Sequence, residues 1–326
     1  MYNAEAYIEA TLESVMAQVY PSFRVIVLDD HSEDDSAAVV ERFKERHPEL
    51  DLSLIRNASR LGTAGNGNRC FEVAKTEFVA RLDGDDLTPK YRLAEQVAFL
   101  DANPEIAQVG GYVHQFGDGD ELMKYPLTDA EIKAQLPIFN AISQGTSMFR
   151  RAAVVNTGLQ YDTDGPAIGE DWLYFYKLSR TLQQANLPKV MDRYRIHGQN
   201  ISAARDAHYY ENIDQVLLYM LQDLGLDPSI DELTYHYFLR RQYRVPVDKK
   251  AIVGFRDWTE KLRSAYTKNG LLEEVLDRYI AEGLEQLYFH LDPKDREAID
   301  ALQQHSPMQD VHRKYLRRKR LKRWFK

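Results

Sequence analysis

Apolar positions along the first part of the chain switch between two periods. Ile8, Leu12, Val15 and Met16 recur at helical spacing, with Asn3 upstream as a cap and Pro21-Ser22 as a stop. Val25-Ile26-Val27-Leu28 is a continuous apolar run, the pattern of a strand buried on both faces, and it ends in Asp29-Asp30-His31-Ser32. Ser32 is placed to cap a second helix that buries Val39, Val40 and Phe43. A strand is predicted at Leu52 to Ile55, followed by a polar, glycine-bearing loop from Arg56 to Asn68. A helix through Phe71, Val73 and Ala74 then leads to a strand over Phe78 to Leu82. After Pro89, Leu93, Val97 and Leu100 predict a helix that Asn103-Pro104 stops. Ile106 to Val113 reads as the next strand, and Phe116 to Asp120 as a turn. This alternation predicts an α/β fold, with a mostly parallel sheet carrying helices on both faces.

The middle is less regular. Gly145 to Arg150 suits a short strand, and Gly158 to Gly169 a loop rich in Gly and Asp. Gly169-Glu170-Asp171-Trp172 opens a helix predicted to be amphipathic through Leu173, Tyr176 and Leu178. Its two acids lie in the first turn, where capping and the helix dipole already account for them. Val190 to Ile196 is strand-like and ends in His197-Gly198. Beyond residue 204 only four of the 17 glycines remain and the spacing turns helical, as at Val216, Leu217, Met220, Leu221 and Leu224. The predicted organisation is a domain over 1–204, a helical extension over 205–312 and a basic tail over 313–326.

Composition narrows the setting. At 326 residues and 44% hydrophobic content the chain can build a sizeable core. One cysteine, Cys70, excludes an internal disulfide framework and fits a reducing, cytoplasmic compartment. No apolar run reaches the 18 residues of a membrane span, and no secretory signal precedes the first helix. The net charge of −8 hides an asymmetry. Residues 313–326 hold nine Lys or Arg and no acid, so the rest of the chain stands at −17. Such a body does not suit duplex binding, and no nucleic-acid partner is expected. Leu316, Leu321, Trp324 and Phe325 interleave with the basic residues, a pattern that can lie on an anionic bilayer. An anionic membrane surface at the inner face of the cell membrane is the expected partner; a solvated tail and a nucleic-acid contact are the competing readings.

The chemistry gathers at Arg81-Leu82-Asp83-Gly84-Asp85-Asp86. In a parallel α/β sheet, ligands sit outside the carboxyl ends of the strands. Three carboxylates there repel one another unless a positive partner joins them. A hard divalent cation with a diphosphate is the natural one, since such sites use one or two carboxylates plus substrate phosphates. A solvated acidic loop before the next helix is the alternative. Asp29 and Asp30 tip another strand, and two acid-tipped strands in one sheet point to a shared cleft.

The order of these motifs resembles the family-2 glycosyltransferases, whose nucleotide-sugar-binding domain has the GT-A fold. Five stretches carry the resemblance: Tyr2-Asn3-Ala4-Glu5-Ala6-Tyr7-Ile8; Val27-Leu28-Asp29-Asp30-His31-Ser32; Phe78 to Asp86 with Arg92-Leu93 and Gln96-Val97; Gly169-Glu170-Asp171-Trp172; and Tyr194-Arg195-Ile196-His197-Gly198-Gln199-Asn200-Ile201-Ser202. Each is weak alone, and the set spans about 200 residues; residues 205–326 lie outside it. The resemblance implies an inverting, metal-dependent hexosyltransferase that moves a sugar from a nucleoside-diphosphate donor to a hydroxyl of a glycan or lipid-linked acceptor, in surface-polysaccharide or glycolipid synthesis. Tyr2 and Asp30 would contact the nucleotide base, Asp83 the ribose or sugar, and Arg195 the phosphates. Asp85 and His197 would bind the cation, Mn²⁺ or Mg²⁺, and Asp171 would be the general base. Arg60, Asn68 and Arg69 match the family's loop before the acidic strand, but Gly67 stands where a basic residue is usual.

One departure bears on activity. Family members begin with an apolar strand ending in a proline before the Tyr-Asn, and here Met1 stands in its place. Loss of a central strand would leave buried backbone groups unpaired, which is costly. The expectation is that the native start lies upstream or that the reading frame is truncated. The rival readings are a metal-dependent nucleotidyltransferase, which needs no base at Asp171, and an inactive nucleotide-sugar or glycan-binding module.

Overall fold

A computed structural model describes residues 1–198, 206–292 and 294–303. The described residues fall into two compact units: Met1–Lys133 with Asn140–Val216, and Ala134–Phe139 with the chain from Leu217 onward.

The first unit is α/β. Helix α1 (Ile8–Met16) buries Ile8 and Leu12, and α2 (Ser36–Arg46) buries Val39, Val40 and Phe43, all within one cluster that includes Val27 and Leu52. Burying a side chain such as Phe43 stabilises by roughly 1.5–3 kcal/mol. Strands β1 (Val25–Asp29) and β2 (Leu52–Arg56) pair in parallel. A second sheet has the order β3 (Phe78–Ala80), β6 (Met148–Arg150), β4 (Ile106–Gly117) and β5 (Leu122–Met123), with β7 (Gln183–Ile196) parallel to β4. The β3–β6, β4–β6 and β4–β5 pairs are antiparallel. Met1 lies beside the β1 tip: its amino group donates to Leu28 O at 2.7 Å, and Asp30 N–H donates to Met1 O at 2.9 Å. Helix α4 (Arg92–Ala102) packs Val97 and Leu100 onto Ile106 and Val109 of β4.

Several local expectations change. Asn3 does not cap α1. It takes a positive φ of 47°, and its side chain accepts from Glu33 N–H at 2.9 Å, tying the opening turn to the loop after β1. Ser32 does not cap α2, which starts four residues later; its hydroxyl donates to Asp29 Oδ1 instead. The loop expected over Arg56 to Asn68 is half helix, because α3 runs Gly62–Val73 through three glycines. Helix α7 (Glu170–Ser179) is buried on nearly all sides, from Trp172 to Tyr176 without a break, so it is a core helix and not an amphipathic one. Strand β7 extends seven residues earlier than expected and bulges at Pro188-Lys189, where Gly111 faces Leu187 but Tyr112 faces Val190. Proline lacks the N–H that a regular ladder needs, so a bulge is its usual place in a strand interior.

The second unit is helical: the end of α8 (Ala207–Asp223), then α9 (Ile230–Leu239), α10 (Lys249–Lys268), α11 (Glu273–His290) and α12 (Arg296–Gln303). Ser229 and Glu232 form a reciprocal capping box at α9. The segment 134–139 threads into this unit. Tyr266 donates to Ala134 O, Arg240 to Ile138 O, and His236 lies 2.9 Å from Pro137 O. Trp258 Nε1 donates to the other nitrogen of His236, and burial of that imidazole pushes its pKa down to about 3. No helix among the described residues is long and apolar enough to cross a membrane. Residues 313–326 and the end of the Tyr-Arg-Ile-His stretch, Gln199 to Ser202, lie outside the described residues.

Candidate functional site

The acidic loop after β3 is held from both sides. Thr11 on α1 donates its hydroxyl to Asp86 O at 2.7 Å and also lies 3.0 Å from Gly84 O. Opposite, Leu87 and Arg193 exchange two backbone bonds of 3.0 and 2.8 Å, which lays the loop against the end of β7. That junction brings Arg195 and His197 to the acids. Arg195 N–H donates to Asp86 Oδ1 at 2.7 Å and its Nε to Asp85 O at 2.7 Å. His197 Nε2 lies 3.1 Å from Asp85 Oδ2. Tyr7, at the start of α1, stacks on the His197 ring at 4.9 Å, and the Arg195 guanidinium stands 4.9 Å over the same tyrosine.

Carboxylates crowd this floor. Asp86 and Asp192 are almost wholly buried, and three of their four oxygens lack a hydrogen-bond partner. Burial raises the pKa of both; repulsion from Asp192 and Asp83 adds to it at Asp86, and repulsion from Asp83 and Asp85 adds at Asp192, where the Arg92 guanidinium opposes the rise. Desolvation also raises Asp83, and the Asp85 charge adds to it while Arg81 counters.

Asp171 reaches the same electrostatic field from α7. Gly169 precedes the helix at φ 83°, a left-handed conformation that suits glycine and turns the chain into the helix. Trp172 N–H donates to Asp171 Oδ1 at 2.7 Å, and Asn140 Nδ2 to Oδ2 at 3.1 Å. Desolvation, then repulsion from Glu170 and from Asp83, push the Asp171 carboxyl up to about 7. Capping therefore accounts for part of this acid only. Glu170 is buried and bonds the Thr63 side chain.

Tyr2 and Asp30 stand on the β1–β2 side. Asp30 is 4% exposed and accepts from Asn57 Nδ2 at 3.0 Å, Leu61 N–H at 2.7 Å and Gly62 N–H at 3.0 Å. Burial opposes its ionisation, but these donors and Asn66 outweigh it and hold the carboxyl below its usual range. Asp30 is thus the anion at the N-terminus of α3, which explains how a glycine-rich stretch is helical from Gly62. The Arg60 guanidinium lies 3.7 Å over the Tyr2 ring. Arg60 to Thr63 line a cavity of about 560 Å³ together with Ala167, Ile168, Asp206 and His208. One wall of that cavity is the loop that Asp30 anchors; another leads directly into Glu170 and Asp171.

The structure therefore brings Asp85, Arg195 and His197 into contact, and Asp83 and Asp171 into one field. Tyr2 and Asp30 flank the adjoining cavity. Sequence reasoning missed Thr11, Asn140 and Asp192, which carry no motif. Tyr7 and Glu170 did sit inside stretches already singled out.

The family model described as Glycosyl transferase family 2 matches residues 1–158. An uncharacterized glycosyltransferase of Haemophilus influenzae is 26% identical over 247 residues, which cover 70% of this chain and 75% of that protein. The UDP-Glc:alpha-D-GlcNAc-diphosphoundecaprenol beta-1,3-glucosyltransferase WfaP of Escherichia coli is 27% identical over 206 residues, covering 62% of this chain and 77% of that protein. The mannosyltransferase PcManGT from Pyrobaculum calidifontis, solved in complex with GDP-Man and Mn²⁺, shares the fold with a TM-score of 0.55, covering 92% of this chain and 83% of that one at 20% identity. The α/β unit described above has the GT-A architecture, and its residues 1–158 match glycosyl transferase family 2.

Proposed function

We propose that this protein transfers a hexose from a nucleoside-diphosphate sugar to a hydroxyl of a glycan or lipid-linked acceptor, with inversion at the anomeric carbon. The observation that carries the reading is Asp171. It is a partly buried carboxylate whose pKa is pushed up to about 7 by burial and by the charges of Glu170 and of Asp83 in the acidic loop. A base tuned near neutral pH is matched to taking the proton of an attacking alcohol. One base with no second nucleophile implies a single displacement, hence inversion.

The donor set also fits a divalent cation. Asp85 and His197 present one oxygen and one nitrogen, both partly exposed, and such ions complete their shell with diphosphate oxygens and water. When bound, the cation would neutralise charge on the leaving diphosphate. Arg195 holds the acidic loop through Asp85 O and Asp86, and its charge favours phosphate on the same side. Asp83 would orient the ribose or sugar. Tyr2, stacked under Arg60, would take the base beside the 560 Å³ cavity. For Asp30 to read a base N–H, it must release one of the amide donors it now holds.

A lipid-diphosphate acceptor is supported by the substrate in the name of the WfaP relative, which fits a place in surface-polysaccharide assembly at the inner face of the cell membrane. The basic stretch 313–326 suits attachment there. Sedimentation with anionic vesicles tests this: equal pelleting after deletion of 313–326 would count against it.

The reaction itself is tested by incubating the protein with UDP-glucose and other nucleotide sugars, Mn²⁺ and lipid-linked acceptors, and measuring nucleoside diphosphate release. Asp171→Asn should lower kcat by about 10²–10⁴-fold while donor binding persists. Full activity in that variant would overturn the reading.

A further inference from the structure

We propose that Asn140 is a positioning residue for Asp171, fixing which carboxylate edge faces the acceptor and how tightly it holds a proton. The inference rests on the reading of Asp171 as the base. The geometry is direct. Asn140 Nδ2 donates to Asp171 Oδ2 at 3.1 Å, while Trp172 N–H holds Oδ1 at 2.7 Å. Both oxygens are pinned from the protein side, and each keeps a lone pair for a substrate hydroxyl. The amide's own orientation is set as well: Asn140 Oδ1 faces Ile142 N–H at 3.4 Å, which turns the NH₂ group toward the carboxylate.

The backbone beneath is anchored to the sheet. Asn186 on β7 donates from Nδ2 to Ala141 O at 2.9 Å and to Pro126 O at 2.7 Å. Ala141 and Ile142 are fully buried. Asn140 therefore cannot drift from Asp171 without breaking a buried polar contact, which costs more than an exposed one.

The other groups facing Asp171 are acidic or phenolic. Glu170 precedes it on α7, Asp83 approaches from the acidic loop, and Tyr125 and Tyr161 approach from their own loops. Asn140, like the Trp172 amide, donates a hydrogen bond to the ionised form, so removing it should make Asp171 harder to ionise.

The experiment is ¹³Cγ-aspartate NMR on the full-length chain, with the Asp171 resonance assigned by its loss in Asp171→Asn. In Asn140→Ala the Asp171 midpoint should rise by about one pH unit, the size expected for losing a hydrogen bond to a charged group. Turnover of UDP-glucose in the presence of Mn²⁺ should then fall about tenfold at pH 6 and less than about twofold at pH 9. Asn140→Asp, nearly isosteric, should move the midpoint further by adding a like charge, and a circular dichroism spectrum matching the wild type confirms that it folds. An unmoved midpoint in both variants, or a rate loss of equal size at every pH, overturns the proposal. If the midpoint moves but Asp171→Asn retains full turnover, the positioning contact stands as geometry and the base assignment fails.

Discussion

His197 and Asp85, 112 positions apart in the chain, meet through an Nε2 to Oδ2 contact of 3.1 Å. The Leu87–Arg193 backbone bridge brings their segments together, and Tyr7 stacks against the imidazole from α1. Under the proposed reading, a bound cation would join these two segments through one oxygen and one nitrogen.

Asp85→Asn and His197→Ala should therefore each weaken Mn²⁺ binding by about tenfold or more, on the scale of losses seen when a ligand's environment is disturbed. Electron paramagnetic resonance of free Mn²⁺ reads this without any substrate. Unchanged affinity in both variants would remove these residues from the proposed cation site.

The buried carboxyls Asp86 and Asp192 should give the fold a stability that declines with rising pH. Both native pKa values are raised above the unfolded aspartate value near 4. Between about pH 4 and neutrality the native state keeps protons that the unfolded chain has released, so stability falls as pH rises. Asp192→Asn removes one of the two charges that must be kept apart and should flatten the curve, gaining most above pH 7. Urea denaturation at pH 5 and pH 8 measures it; an equal change at both would refute the assignment.

Asp30 acts in the opposite sense. Its native pKa is lowered by amide donors, so its contribution is present above about pH 4 and is lost as pH falls through the native value. Asp30→Asn should destabilise by about 1–3 kcal/mol at pH 7, because it removes the charged acceptor of the Leu61 and Gly62 amides. As pH falls through that lowered native value, the variant and the wild type should converge.

Gly67 tests the packing behind the site. A Cβ there would lie 2.8 Å from the Tyr161 ring, which is itself stacked on Tyr174 at 3.8 Å and has nowhere to retreat. Overpacking of this kind costs about 1–3 kcal/mol. Alanine recovers at most about 1 kcal/mol of helix propensity. Gly67→Ala should therefore lower the melting temperature despite sitting inside α3.

Apolar period and strand-tip acids were legible in the sequence because each is a local property. The Val25 to Leu28 run had to be a strand, buried here at Val27 and Leu28, and Val39, Val40 and Phe43 had to line one face of a helix, whatever the remainder of the chain did. The five ordered motifs carry the resemblance to family-2 glycosyltransferases by residue identity alone. Helix starts were less legible. Asn3 and Ser32 have the chemistry of caps, yet the Asn3 side chain accepts from Glu33 N–H, and the Ser32 hydroxyl accepts from Asn3 N–H while donating to Asp29. The start of α3 depends on a carboxylate 32 residues away.

What the sequence by itself determined is the α/β alternation and the set of acids available for chemistry, since hydrophobic spacing and residue identity do not depend on distant neighbours. The tertiary structure alone decided which acids are held ionised, as Asp30 is, and which resist ionisation, as Asp86, Asp171 and Asp192 do. Proton affinity follows from desolvation and from groups brought near by folding, and Asn140, Thr11 and Arg92 reach those acids only through space.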